Sequence, residues 1–327
     1  MCSRLPGLTI GILTHNRCTE VLKTLAHVTQ LDYPELEILL IDNGSRDGTA
    51  GRVRGQFPRV RIIRLEKNVG ASARNLLPRM ASHDFVYSCD DDSYPKDSAN
   101  LRAAMQYMLD NPRVCTLTTN VIDISTGISH CQGYAEFAWS GSAEQGYIGH
   151  FLLGGGTIMR RKCLTQVEGY PENFFWGREE ADLSLQLLAQ GCTLAYHPGF
   201  VTIHDRSGSG IKGSRWVYYY TRNPIWTAWR FFSPGTALRL SASWTLRCLF
   251  THMPRGLAWT AGVFDALRGI PRLRNYREQL VRNAPAAGIE LFCRHAYGDT
   301  ISLRSVARRL FGANRLSPHK VWNRPAK

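Results

Sequence analysis

No two cysteines in this sequence stand at C-x-x-C spacing, no apolar run is long enough to span a bilayer, and carboxylates are scarce beyond residue 203. The first absence removes the usual sequence signatures of a zinc finger or a dithiol redox centre. The nine cysteines (Cys2, Cys18, Cys89, Cys115, Cys131, Cys163, Cys192, Cys248 and Cys293) are odd in number and widely scattered. They read as free thiols of a reducing cytosol rather than as a disulfide framework. The longest apolar stretch, 241–264, is interrupted by Arg247, His252, Pro254 and Arg255 and falls short of the roughly 20 residues that a spanning helix needs. No basic start is followed by an apolar run of about 7 to 15 residues, so no secretory leader is expected. There is no internal repeat either.

The shortage of acid is local. Residues 1–203 hold 19 Lys+Arg against 21 Asp+Glu, whereas residues 204–327 hold 21 against 5, so the net charge of +14 belongs to the C-terminal part. Two regions with different surroundings are implied. With 44% hydrophobic residues over 327 positions, the chain can fill a sizeable core.

From residue 8 onward, short β-rich runs alternate with stretches of helical length, the pattern of a parallel sheet wrapped by helices. LTIGILT (8–14), LEILLID (36–42), VRIIRLE (60–66) and FVYSCD (85–90) read as strands buried on both faces, with helices expected over 18–30, 46–56 and 71–82. VCTLTTNVIDI reads as a further strand, WGREEADLSLQLLAQG (176–191) as a helix, and TLAYHPGFVTIHD (193–205) as two short strands split by Pro198-Gly199. SGSGIKGS (207–214) has the composition of a mobile loop, and 215–327 that of a basic, aromatic-rich helical region with a frayed tail.

Ligands of open α/β sheets bind beyond the carboxyl ends of the strands, where this chain places Thr14 and Asn16, then Asp42, then Asp90, Asp91 and Asp92. Three adjacent carboxylates require a compensating cation. In an extended chain Asp90 and Asp92 share one side and Asp91 takes the other, and two oxygen donors on one side suit Mg²⁺ or Mn²⁺. The bland alternative is a solvated acidic turn. Glu179, Glu180 and Asp182 form a second acidic cluster in the first turn of a helix, where the dipole favours ionised carboxylates; simple capping explains such a cluster equally well. His204, after an apolar run, is either a structural histidine or a third donor for Mn²⁺. Gly154, Gly155 and Gly156 form a turn, or a place where backbone closes on a ligand.

Taken together, strand-Thr-x-Asn-Arg, IDNGSRDGT, KNVGASARN, CDDD, LLGGGTIMRR and WGREEADLSLQLLAQG resemble, in kind and in order, family 2 of the inverting glycosyltransferases over residues 7–206. The resemblance implies a GT-A fold, α/β, with a Rossmann-like, mostly parallel sheet flanked by helices in a catalytic domain over 1–206, and a C-terminal helical region. It implies a nucleotide pocket from Thr14, Asn16, Asp42, Lys67, Asn68, Gly70, Arg74, Asp90 and Asp91. Asp92, with Asp90 and His204, would hold Mg²⁺ or Mn²⁺, and Gly154, Gly155, Gly156 and Trp176 would meet the donor or acceptor sugar. Glu180 stands where the family has the catalytic aspartate of a Glu-Asp pair, leaving Glu179, Glu180 and Asp182 as candidates for the base. Gln186 stands where many relatives have arginine.

The implied partners are a UDP-, dTDP- or GDP-linked sugar and a hydroxyl-bearing acceptor, soluble or lipid-linked. The implied setting is cell-envelope synthesis, in the cytoplasm or on the inner face of the membrane. A sugar nucleotidyltransferase would resemble a glycine-rich N-terminal loop with a basic residue, where this chain has TIGILTHNRC. A nucleic-acid-binding module would use the basic region with Trp216, Tyr218, Tyr219, Tyr220, Trp226 and Trp229. The same residues suit a membrane headgroup zone, and no nucleic-acid partner is expected.

Overall fold

The computed structural model describes residues 5–205, 213–252 and 255–298. In the N-terminal part, strands β1 (Leu8–Thr14), β2 (Leu36–Asp42), β3 (Arg61–Arg64), β4 (Phe85–Asp90), β5 (Ser93–Pro95) and β6 (Val114–Asp123) alternate with helices α1 (Cys18–Val28), α2 (Thr49–Gln56), α3 (Leu76–Met80) and α4 (Ser98–Asp110). There follow β7 (Ser140–Ser142), β8 (Gly146–Gly149), β9 (Thr157–Arg160), α5 (Arg161–Leu164), α6 (Glu179–Ala189) and β10 (Thr193–His204). The C-terminal part is helical: α7 (Gly213–Phe231), α8 (Pro234–His252), α9 (Gly256–Gly269), α10 (Arg277–Asn283) and α11 (Ala286–Tyr297).

The ten strands among the described residues form one sheet in the order β3-β2-β1-β4-β9-β6-β10-β8-β7, with β5 paired to β10. The pairs of β1 with β2 and β4, β2 with β3, and β6 with β10 are parallel; β9 runs antiparallel between β4 and β6. This is the α/β, mostly parallel architecture that the resemblance implied. Side chains alternate between two cores because successive strand residues point to opposite faces. Phe85, Tyr87 and Cys89 join α1 and α4 on one face, while Val86 joins α3, α6 and the C-terminal helices on the other.

Several boundaries differ from the pattern reading. β3 is an edge strand paired with β2 alone, with Arg61 and Arg64 exposed and Ile62 and Ile63 half-buried, not a strand buried on both faces. The segment 71–82 opens as a 3₁₀ turn, Gly70–Asn75, before α3. α2 starts only at Thr49 because side chains hold the preceding turn: Asp42 Oδ1 accepts from Ser45 N at 2.8 Å, and Asp47 Oδ1 from Thr49 N at 3.1 Å. Residues 193–204 form one strand; Pro198-Gly199 makes a bulge between the His197 and Val201 registers instead of ending it. Of the segment expected to be a mobile loop, 207–212 lies outside the described residues and Gly213 and Ser214 already belong to α7. The tail beyond residue 298 also lies outside them.

The aromatics of 216–232 range from half-buried (Trp216, Tyr218, Tyr219, Tyr220 and Trp229) to buried (Trp226, Phe231 and Phe232). Trp226 is buried with Nε1 donating to Ala266 O at 2.9 Å, and Arg222 lies against the rings of Tyr218, Tyr219 and Trp226. Pro224 has no N–H for the Tyr220 carbonyl four residues earlier. Trp244 Nε1 of α8 supplies that bond at 2.8 Å, tying α7 to α8. Of the residues named for a stacking or headgroup surface, Trp226 is committed to packing and the other five keep part of their surface exposed.

Candidate active site

The register sets Thr14 beside Asp42 and Leu13 beside Asp90, so the polar residues ending β1, β2 and β4 share one edge. There Thr14 Oγ1 donates to Asp91 Oδ2 at 2.8 Å, and Thr24 Oγ1 to the Asp91 carbonyl at 2.8 Å. Asn16 adopts left-handed backbone (φ 53°) and bridges to the β2 loop: its N–H donates to Ser45 Oγ at 2.9 Å, and its Oδ1 accepts from Arg46 N at 2.7 Å. Asp42 is fully buried, and its Oδ2 makes no hydrogen bond, with Arg64 Nε at 3.6 Å. An orphaned carboxylate oxygen of this kind normally has a partner.

The triplet divides as alternation predicts. Asp91 turns toward Thr14 and Arg17, and burial pushes its carboxyl up to about 7 against the pull of Arg17. Asp90 pairs with Arg74, whose Nη1 also donates to Ser88 Oγ at 2.8 Å. Asp92 lies 3.0 Å from Arg17 Nη2 and 3.1 Å from His204 Nε2. Burial opposes its ionisation, but the hydrogen bond and charge of His204, with Arg17, hold it below the usual carboxylate range. One donor atom each from Asp90, Asp92 and His204 lies within 4.8 Å of the others. Two carboxylates and an imidazole at that spacing fit a divalent cation of the Mg²⁺ or Mn²⁺ class. Arg17 and Arg74 supply the positive charge that lets three adjacent aspartates fold together, a role no ion need fill.

The glycine segment closes the other side. A Cβ on Gly154 would sit 3.0 Å from Glu180 Oε1, and one on Gly155 2.4 Å from Asp90 Oδ2. A side chain at either glycine would displace a carboxylate of one of the two acidic clusters. Glu180 is half-buried there, while Glu179 is buried with Oε2 unpaired. Burial raises both carboxyls; the neighbouring Glu180 adds to the rise at Glu179, whereas the helix N-terminus, Arg74 and Arg178 restrain it at Glu180. Asp182 faces the interior, with Arg230 Nε at 3.2 Å and Gln186 Nε2 at 2.7 Å. Burial pushes it to about 6 despite Arg230. The cation for this acid thus comes from α7, while position 186 carries glutamine.

The remaining expected residues lie in the loops around this edge. Asn68 Oδ1 accepts from Asn43 Nδ2 at 3.0 Å, and Lys67 is exposed with its backbone packed on Gly44. Gly70, at φ 72°, docks on the Phe175 carbonyl, which also accepts from Ala71 N at 2.8 Å. Half-buried Trp176 offers its carbonyl to Asn223 Nδ2 at 2.9 Å. Phe175 and Arg178 are left-handed, like Asn16. Such strained backbone persists only where the surroundings over-determine it. Here α7 does so: Asn223 Nδ2 also donates to Phe174 O (3.1 Å) and Gly177 O (2.7 Å), and Arg222 Nη2 to Asn173 O (2.7 Å). The pattern reading gave Arg17 no role, and it missed Arg230, His130 (3.2 Å from His204 Nδ1) and the Arg222-Asn223 brace. Arg17 was legible, since the triplet demanded a cation and Thr-x-Asn-Arg supplied one; the others depend on tertiary packing.

The family model described as glycosyl transferase family 2 matches residues 9–179. Poly-beta-1,6-N-acetyl-D-glucosamine synthase of Staphylococcus epidermidis is 32% identical over 122 residues, 35% of this chain and 28% of that protein, so the chain spans under a third of that relative's length. Among solved structures, the mannosyltransferase PcManGT from Pyrobaculum calidifontis, in complex with GDP-Man and Mn²⁺, is similar with a TM-score of 0.56 at 16% identity, over 95% of this chain and 89% of that one. S. aureus TarS 1-349 gives 0.55 at 16% identity, over 90% and 92%. At these identities the structures share the fold.

Proposed function

Because the chain belongs to glycosyl transferase family 2 and carries its GT-A fold, we propose that it transfers a sugar from a nucleoside-diphosphate donor to an acceptor hydroxyl with inversion. The observation that carries this reading is the bare glycine backbone separating the Asp90-Asp92-His204 cluster from Glu180. It leaves a floor for a sugar, with diphosphate-side groups at one end and a carboxylate at the other. Thr14, Asn16 and the orphaned Asp42 oxygen would receive the nucleoside, and Arg74 lies beside the diphosphate end.

In the displacement, the acceptor oxygen bonds to the anomeric carbon as the carbon–oxygen bond to the diphosphate breaks. The leaving nucleoside diphosphate takes the electron pair, and Glu180 Oε1 takes the hydroxyl proton. Asp92, Asp90 and His204 would hold Mg²⁺ or Mn²⁺, which supplies charge neutralisation for the leaving diphosphate. The solved mannosyltransferase that is similar in fold binds GDP-Man and Mn²⁺, which supports the donor class and the metal. A thermal-shift series with UDP-, dTDP- and GDP-sugars, each with Mn²⁺ or Mg²⁺, tests the reading. One donor class should stabilise the protein by about 2.7 kcal/mol at hundredfold excess over its Kd. A flat response across every donor with either metal overturns it.

We further read the C-terminal helices as a docking surface for an anionic membrane carrying a lipid-linked acceptor. No helix among the described residues is long and apolar enough to cross a membrane. Leu238, Leu246 and Phe250 of α8, and Leu257, Phe264 and Leu267 of α9, are nevertheless exposed at helical spacing, Leu257 to 90%. Arg239, Arg255, Arg268 and Arg272, within a few residues of them in sequence, are exposed as well. Apolar side chains among arginines suit the boundary of headgroups and acyl chains, and each basic residue near such a surface contributes about 1 kcal/mol. Co-sedimentation with phosphatidylglycerol vesicles at low salt is expected, with loss in Leu257→Asp and Phe264→Asp. Failure of the unmodified protein to bind assigns these helices to a soluble acceptor.

A further inference from the structure

At the other edge of the sheet, three of the scattered cysteines come together. Cys115 lies at the start of β6, Cys163 in α5 just after β9, and Cys192 in the turn between α6 and β10. Their sulfur atoms all lie within 4.8 Å of one another. The sheet itself arranges this. In the β6–β10 ladder Thr193 pairs with Val114 and Leu194 with Thr116, so Cys115 is the extra residue of a bulge. A bulge re-aims the side chain it carries. Arg160 pairs with Phe85, at the start of β4, and Asp90 ends that strand. At about 3.3 Å per residue, the thiols sit roughly 17 Å along the sheet from the acidic cluster.

We propose that Cys115, Cys163 and Cys192 bind a thiophilic cation, Zn²⁺ by ordinary availability, through three thiolates at a site separate from the acidic one. Zinc–thiolate bonds of about 2.3 Å put the sulfurs of a tetrahedral site about 3.8 Å apart, so the three need close by no more than about 1 Å. Thiolates select Zn²⁺ or Cu⁺ over the hard cations that suit Asp90, Asp92 and His204. Three thiolates around a dication leave one negative charge. Arg160 and Lys162 contribute positive charge at Cys115 and Cys163. Cys163 is buried whereas Cys115 and Cys192 are half-buried, which gives the ion an entry path and leaves a fourth position for water. Bound there, the ion joins β6, α5 and the start of β10, a clip between segments distant in sequence.

The test uses the full chain, reduced and stripped with chelator, with Cd²⁺ as the spectroscopic probe and Zn²⁺ as competitor. Expected are a thiolate-to-metal charge-transfer band saturating at one equivalent, protection of three thiols from alkylation, and a rise in Tm with Zn²⁺. Cys115→Ser and Cys192→Ser, the half-buried positions that should still fold, are expected to weaken Cd²⁺ binding by at least about tenfold and to abolish the Tm rise. Cys293→Ser should change neither, and Asp92→Ala should retain the band, which separates this site from the acidic one. Absence of the band, equal affinity in the serine variants, or a disulfide within the cluster of the reduced-and-reoxidised protein without metal uptake overturns the proposal and leaves the thiols as core filler.

Discussion

Glu180→Gln is expected to bind the donor with near-normal affinity and to transfer sugar about 10²- to 10⁴-fold more slowly, the usual contribution of a general base. The substitution keeps the shape of the side chain and its reach past Gly154 while removing its ability to take a proton. Glu179→Gln should cost much less, since that buried carboxyl is pushed well up by burial and by Glu180. Its part is then structural, in the first turn of α6. Asp182→Asn should act on stability instead, because it leaves buried Arg230 with Glu168 alone. A pH–rate profile adds an independent readout. Burial raises the Glu180 carboxyl, so the ionised, proton-accepting form is lost at a higher pH than for a free glutamate, and activity should climb with pH through that raised value. The climb should be absent in Glu180→Gln. Near-normal turnover in Glu180→Gln, with a severe loss in Glu179→Gln or Asp182→Asn, would reassign the base.

The strands that build the nucleotide edge were readable because they are local: β1, β2 and β4 begin and end where their apolar runs do. Alternation within the aspartate triplet also followed from strand geometry alone. What could not be read was everything set by partners far along the chain. His130 meets His204 across 74 residues, and Asn223 reaches back to Trp176 across 47. How far the run WVYYYTRNPIW is buried could not be read, because composition does not say which way a helix faces. Its Asn-Pro pair instead lets side chains of α7 and α8 satisfy carbonyls that a regular helix or a tidy loop would have satisfied locally. Six exposed apolar residues lie one and two helices further on, in α8 and α9.

Asp92→Ala is expected to remove the metal response of donor binding. In the unmodified protein, calorimetry should show donor affinity that tightens with Mn²⁺ or Mg²⁺; in the variant, affinity should be the same with metal or with chelator. Transfer should fall by about 10³-fold or more, since metal stabilisation of developing charge amounts to several kcal/mol. The geometry singles out this aspartate. Its Oδ1 faces His204 and its carboxyl shares a donor cluster with Asp90, whereas Asp91 is turned away onto Thr14 and Arg17. Asp91→Asn is therefore the matched comparison: it should lower Tm by loosening Arg17 and Thr14 while leaving metal dependence in place. Arg17 retains Asp91 when Asp92 is lost, so the Asp92 variant should stay folded. His204→Ala should weaken the response without abolishing it, because both carboxylates remain. Undiminished metal dependence in Asp92→Ala would remove the triplet from metal binding and leave Arg17 and Arg74 as the cations that balance its charge.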